Sequence, residues 1–155
     1  MPTTKKPTYL GLLNAVSLAE TNAAEYLTAW ADMTDDPDVE RAVRTVIARE
    51  REHGAAFAKR IDELGYSLLD RPDPDHARKL RYAKSNKSDL EKLERYGFSR
   101  DPNLPDIFER FFADHTIDVQ TGALLGRYVA EERDTLRLLH GVWRKLKKRA
   151  GAAAA

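Results

Sequence analysis

The sequence predicts an all-α protein, an antiparallel four-helix bundle with a long, partly helical crossover between its second and third helices. Two observations predict this class. Apolar residues recur at steps of three and four along most of residues 8–64 and 105–149. The segment between them is polar, carries prolines and is too long for a tight turn, which suits a crossover between opposite ends of a bundle. The 155 residues suffice for one domain, assigned to residues 1–150, with a disordered tail at 151–155.

The amino-acid composition of the chain argues against several classes of function. Apolar residues make up 42% of the chain and charged residues 33%, as expected for a helix-rich globular protein. The net charge of +1 argues against nucleic acid or an anionic membrane as partner, and no apolar run is long enough to span a membrane. The absence of cysteine excludes disulfides, thiolate metal sites and cysteine nucleophiles. The first six residues lack the apolar core of a secretion signal, so we expect a cytoplasmic protein.

The first helix is predicted from about Thr8 to Asp32. Its apolar face is wide, as in a bundle core. Glu20 lies within that face, whereas Glu25 lies outside it and is expected to be solvated. One of the two stripes that form this face comprises Leu10, Leu13, Ser17, Glu20, Ala24, Leu27 and Ala31.

The second helix is predicted to begin at Pro37, with Asp36 as its cap, and to end before Gly65. Its inward stripe carries a carboxylate and an imidazole in the middle, as Glu50-x-x-His53. Both groups are costly to bury unless they are satisfied, and a divalent metal would satisfy both because this spacing points them at one locus. The stripe comprises Val39, Val43, Val46, Glu50, His53, Phe57, Ile61 and Leu64.

A short turn between these helices predicts an antiparallel hairpin, in which positions whose numbers sum to about 70 lie level. Glu20 and Glu50 satisfy that sum, so they are expected to face each other, with His53 one turn further along. Two facing carboxylates in a core repel unless one is protonated or a cation lies between them.

The crossover is predicted over residues 66–104. Within it, the sequence from Ser88 to Glu91 is a capping box ahead of a short helix that ends near Gly97. The charged stretch from Arg78 to Arg95 is interpreted as a solvated helix face.

Residues 105–149 could form two helices or one long helix, because their only helix breakers are weak. Two helices, the third and fourth of the bundle, are favoured, with a bend between Asp118 and Gly126. Glu132 is the only charged member of the inward stripe on the last helix, while Glu131 and Asp134 fall to its side. Tyr128 is interpreted as core packing. The sequence does not decide which residue of the third helix would be a metal ligand. The four candidates are Glu109, Asp114, His115 and Asp118.

These features together resemble the ferritin-like superfamily of di-iron carboxylate proteins, in its rubrerythrin-like and encapsulated-ferritin-like branches. The resemblance rests on Glu20, on Glu50-x-x-His53 within the run Arg49–Ala55, and on the crossover. It implies a di-iron site, with manganese as an alternative, and an oxidoreductase that oxidises ferrous iron or reduces dioxygen or peroxide. With the inward Glu132 added, the expected metal ligands are Glu20, Glu50, His53 and Glu132, and no catalytic or cofactor-binding residue is expected beyond them.

The chain departs from the rubrerythrin pattern in its second half, where either Glu132-x-x-Thr135 or Glu131-x-x-Asp134 stands in place of a second Glu-x-x-His. The number of metals, one or two, therefore remains open. It also remains open whether one subunit or two subunits supply the ligands. A homo-oligomer, dimer or larger, is expected. The alternative function is a helical bundle with a degenerate or absent metal site that acts as a non-catalytic interaction or assembly module.

Overall fold

The computed structural model describes residues 5–154, and the predicted all-α class is confirmed over this range. Residues 1–4 and Ala155, which belong to the predicted N-terminal segment and tail, lie outside the described residues. Along the described chain, no helix combines the length and the apolar composition that crossing a membrane requires. The elements in chain order are α1 (Leu10–Ala31), α2 (Pro37–Glu63), α3 (His76–Ala83), α4 (Asp89–Arg95), a 3-10 helix (Phe108–Ala113) and α5 (Val119–Ala153).

The α1–α2 hairpin forms from the local signals that predict it. The Asp36 carboxylate caps α2 by accepting from the backbone amides of Asp38 at 2.9 Å and Val39 at 3.2 Å. At the middle of the hairpin, the Ser17 hydroxyl donates to the Gly54 carbonyl at 2.8 Å. A Cβ atom on Gly54 would lie 2.7 Å from the Thr21 hydroxyl oxygen. The helices therefore approach closely beside His53 because residue 54 has no side chain.

The second half of the chain differs from the prediction. The expected bend between Asp118 and Gly126 is absent, since α5 runs unbroken from Val119 to Ala153. A glycine inside a helix costs only about 1 kcal/mol, which tertiary packing overrides. The helix begins instead at Asp118, whose carboxylate accepts from the Thr121 amide at 2.9 Å. Only a six-residue 3-10 helix precedes it, so the described chain has three long helices and the four-helix arrangement is not confirmed.

The long helices enclose two apolar clusters with a polar layer between them. α5 packs along α2, α3 lies against α1, and α4 lies against α5, so the predicted crossover covers the sides of the bundle. Near the hairpin turn the core includes Trp30, Val43 and Leu139. At the opposite end it includes Phe57 and Leu125. Glutamates and one histidine occupy the intervening layer.

Candidate metal centre

All four residues predicted as metal ligands lie in this polar layer. Glu20 comes from α1, Glu50 and His53 from α2, and Glu132 from α5. The first three are 5%, 5% and 3% exposed, and the Glu132 side chain is 16% exposed. Each of these residues has apolar neighbours one helical turn away on the same face of its helix. Packing that buries those apolar neighbours therefore buries the polar side chain as well.

Three of the four side chains converge. Glu20, His53 and Glu132 each offer one ligand atom, and these atoms all lie within 4.8 Å of one another. His53 Nδ1 lies 3.3 Å from Glu20 Oε2 and 3.6 Å from Glu132 Oε1. Two carboxylate oxygens and an imidazole nitrogen in this arrangement are a donor set that suits iron, manganese or zinc.

Glu50 lies beside this trio and shares a hydrogen bond with Glu20. Burial, the hydrogen bond to Glu20 and the charges of Glu132 and Glu20 raise the pKa of Glu50 to about 11. Burial also acts to raise the pKa of Glu20, but hydrogen bonds to His53, Glu50 and Tyr128 outweigh it and lower that pKa. These opposite pKa shifts favour one proton held between the two facing carboxyls when no cation lies there, which is one of the two alternatives that the sequence left open.

Glu132 is the least satisfied member of the layer. Its Oε1 atom is buried and has no hydrogen-bond partner among the described residues. Burial and then the negative charge of Glu20 raise the pKa of Glu132 to about 7. A buried acceptor without a partner is costly. A metal ion between Glu132, Glu20 and His53 would remove that cost, so the donor set fits a metal.

Two residues of the layer were not predicted as part of the site. Glu131, expected to fall to the side, reaches His53, with Oε2 at 2.6 Å from Nε2. Tyr128 packs in the core as expected, and its hydroxyl also donates to Glu20 Oε1 at 3.0 Å. Tyr128 lies three and four residues from Glu131 and Glu132, so the spacing places all three near one helix face. It does not show that Tyr128 meets Glu20 or that Glu131 meets His53.

His53 is held through both of its ring nitrogens. Burial acts to lower its pKa, but hydrogen bonds to Glu20 and Glu131 and the charges of Glu20 and Glu132 raise it overall. Because Glu131 engages Nε2, Nδ1 is the nitrogen that faces Glu20 and Glu132. A carboxylate on the distal nitrogen of a histidine is the usual support for a metal-ligating imidazole.

None of the four third-helix candidates joins the site. Glu109 and His115 are exposed. Asp114 accepts hydrogen bonds from the hydroxyls of Thr8 and Thr116. Asp118 caps α5 and pairs with Arg60. The site is thus built from α1, α2 and α5 alone.

A cavity of about 210 Å³ adjoins the carboxylates and is lined by Glu20, Glu50 and Glu132. The connecting segment contributes Asp73 and Lys79 to its wall. A cavity of this size, with carboxylates and apolar side chains in its wall, gives room beside the convergent donors for water or for a small molecule such as dioxygen or peroxide.

No family model, curated protein or solved structure matches this chain.

Proposed function

We propose that this protein binds iron at Glu20, Glu50, His53 and Glu132 and uses it to oxidise ferrous iron or to reduce dioxygen or peroxide. The observation that carries the proposal is the buried Glu132 Oε1, which faces Glu20 and His53 and has no hydrogen-bond partner within residues 5–154. Manganese would be held by the same donors. On this proposal the chain is a ferritin-like protein of the cytoplasm.

The balance of charge supports a cation in the layer. Four glutamates, Glu20, Glu50, Glu131 and Glu132, share the layer with one histidine, His53. Arg49 and Arg127 lie at its edge, where the exposed carboxylates of Asp134 and Glu52 also engage them. Without a metal, the raised pKa values of Glu50 and His53 favour a proton on each of these groups. A divalent ion would replace both protons and allow every carboxylate to remain ionised.

Each surrounding residue has a defined task on this proposal. Bound iron supplies the one-electron redox chemistry. Tyr128 orients Glu20 through its hydroxyl, and Glu131 holds the proton on His53 Nε2, which leaves Nδ1 free to bind metal. The apolar clusters on either side exclude bulk water, which strengthens the interaction of the carboxylates with a cation.

We further propose that each chain binds one or two metal ions and that the protein forms a homo-oligomer. The trio of Glu20, His53 and Glu132 accommodates one ion, and Glu50 is the donor that remains for a second ion once it loses its proton. A dimer or larger homo-oligomer would supply the helices that a ferritin-like four-helix arrangement needs. Exposed apolar side chains favour assembly, since Ile107 is 61% exposed and Val119 is 89% exposed.

The test is metal content per chain. The protein is loaded with ferrous iron under anaerobic conditions, desalted and exposed to air, and iron is measured by elemental analysis beside the ferric absorption spectrum. We expect one to two irons per chain and an absorption that appears only with oxidant. The variant Glu20→Gln/His53→Gln should retain no iron, whereas Glu94→Gln/Asp106→Asn, which removes two exposed or half-exposed carboxylates away from the layer, should load normally.

Circular dichroism separates loss of the site from loss of the fold, since both double variants should keep the helical spectrum of the parent. Equal iron in the parent and in Glu20→Gln/His53→Gln would overturn the assignment of the site. Iron that binds but never oxidises would overturn the redox function and leave metal binding alone.

One observation favours the second candidate, a non-catalytic interaction or assembly module. A protonated His53 would donate to Glu131 at 2.6 Å and lie 3.3 Å from Glu20, so the layer can pair its charges in part without metal. This candidate predicts a parent protein that retains neither iron nor manganese, while its oligomeric state is unchanged by chelator.

A further inference from the structure

A second cavity, of about 600 Å³, lies between α1, α3 and α4. Its volume is within the range of small-molecule binding sites, roughly 300–1,000 Å³. Its walls carry four cationic side chains, three tyrosines and one serine, and no carboxylate is among the described residues that line it. The sequence alone favours a solvated helix face for this charged stretch, but the fold brings its cations and aromatic rings around one space.

The cations of this cavity outnumber their counter-charges. Arg78 pairs with Asp75 at 2.9 Å, and Lys79 lies 3.7 Å from an oxygen of Asp73. Arg81 and Arg95 make no ion pair with any residue between positions 5 and 154. Like charges gathered in a concave space raise the local concentration of anions. Arginine in particular favours phosphate, which its planar guanidinium can bind through two parallel hydrogen bonds.

The aromatic residues form a continuous wall. The rings of Tyr26 and Tyr96 are stacked with centroids 5.0 Å apart, and Tyr82 meets Tyr96 edge-on at 6.0 Å. The Tyr96 hydroxyl donates to the Lys79 carbonyl at 2.9 Å, which fixes this ring against α3. The Arg95 guanidinium lies 5.8 Å from the centre of the Tyr82 ring. Aromatic side chains stack on the face of any nucleobase, whatever its identity.

From this combination we infer that the cavity binds a mononucleotide, with its base against the tyrosines and its phosphate held by Arg81 and Arg95. An inorganic anion would use the arginines without the rings, and an uncharged aromatic molecule would use the rings without the arginines. The ligand would lie close to the candidate metal layer, because Tyr26 and Lys79 line both cavities. The inference does not depend on the proposed metal chemistry.

The test is calorimetric titration of the full chain, with no metal added, against the four ribonucleoside monophosphates, adenosine and inorganic phosphate. We expect at least one monophosphate to bind once per chain, about tenfold or more tighter than either adenosine or phosphate, since each of these lacks one of the two recognition elements. Its affinity should fall as salt rises, because the phosphate contacts are electrostatic.

Substitutions of the residues that line the cavity test whether the nucleotide binds there. Arg81→Gln/Arg95→Gln and Tyr82→Leu should each weaken the monophosphate about tenfold or more. Arg110→Gln/Lys148→Gln removes the same charge from exposed positions outside the cavity and should leave the affinity unchanged. Circular dichroism checks that each variant folds.

Three results would overturn the inference. The first is that no monophosphate binds to the folded parent protein. The second is that phosphate alone binds as tightly as the best monophosphate, which would make the cavity a simple anion site. The third is that a short single-stranded oligonucleotide binds far more tightly than any monophosphate, which would indicate a nucleic-acid surface.

Discussion

Two clusters of charged side chains join α2 to α5, and they satisfy their charges in opposite ways. In the first, the Arg60 guanidinium donates to Thr121 at 3.0 Å, to Glu63 at 2.9 Å and to Asp118 at 2.9 Å. Asp118 also accepts from the Tyr9 hydroxyl at 2.6 Å. Every charge in this cluster has an opposite charge or a donor beside it, so it needs nothing from outside the chain.

The second cluster is the polar layer, where four glutamates share one histidine and the arginines at its edge are also engaged by other carboxylates. There the pKa of Glu132 is raised, first by burial and then by the charge of Glu20. The pKa of Asp118 in the first cluster is lowered, because hydrogen bonds from Thr121, Tyr9 and Arg60 outweigh its burial. The contrast teaches that burial of charge alone does not mark a site. A deficit of counter-charge does, and of these two clusters the polar layer is the one that has it.

The largest expected effect comes from breaking the satisfied cluster. Arg60→Leu removes the hydrogen bonds that a buried guanidinium donates, among them those to Thr121, Glu63 and Asp118, so the free energy of unfolding should fall by about 3 kcal/mol. Urea denaturation measures this change in the free energy of unfolding. Metal binding should survive, because Arg60 makes no contact with the layer. As a control, Arg44→Leu removes an exposed arginine with two surface ion pairs and should have little effect. An unchanged stability in Arg60→Leu would mean that the cluster is held by packing rather than by charge.

The next largest effect is expected in the polar layer, where a bound metal ion should stabilise the folded protein. Manganese, which does not oxidise in air as ferrous iron does, should stabilise the parent protein by about 2.7 kcal/mol at a hundred times its dissociation constant. The variant Glu20→Gln/His53→Gln should gain nothing, whereas Arg60→Leu should gain as much as the parent. Denaturation with and without manganese makes the measurement. Equal stabilisation of the parent and the site variant would show that manganese binds elsewhere.

The residues that sequence reasoning found are those whose positions are fixed by local signals. The Asp36 cap and the stripes of α1 and α2 predict the hairpin, and a short turn fixes its register, so Glu20, Glu50 and His53 could be brought together from the sequence. Glu132 could be found because it interrupts an apolar stripe.

The rest depended on contacts that sequence spacing does not encode. The long connection from residue 64 to residue 118 leaves the register of α5 against α2 unfixed, so the sequence could not tell that Glu131 meets His53. The bend predicted near Gly122 and Gly126 failed because packing overrides the weak helix propensity of glycine. The cationic cavity required residues of α1, α3 and α4 whose contacts follow only from the tertiary fold.

A smaller effect should follow from the residue that holds His53 in place. Glu131→Leu removes the acceptor 2.6 Å from His53 Nε2, so the imidazole is no longer held with Nδ1 toward Glu20. Metal affinity should fall by about 10- to 100-fold, as is typical when such a support is lost. Glu131→Gln keeps an oxygen acceptor and should recover most of the affinity. Titration with manganese gives the affinities, and nitrogen NMR of His53 reports the ring tautomer. Identical affinity in Glu131→Leu and the parent would reduce Glu131 to a surface partner of Arg127.

The smallest effect is the one that tests the deficit of counter-charge most directly. In the metal-free protein, Glu50 and Glu132 have raised pKa values, to about 11 and about 7, and the pKa of His53 is raised as well. The folded state therefore binds more protons than the unfolded state between about pH 5 and 8, and stability must fall as pH rises through this range. Glu50→Gln supplies a neutral group of the same shape that needs no proton. It should raise the unfolding free energy at neutral pH by about 1 kcal/mol and flatten the decline with pH. The same variant should bind metal less tightly, because it loses a donor. Urea denaturation across this pH range, paired with manganese titration, measures both. A variant that is less stable than the parent without metal would show that Glu50 is already ionised and paired, and the layer would then resemble the Arg60 cluster.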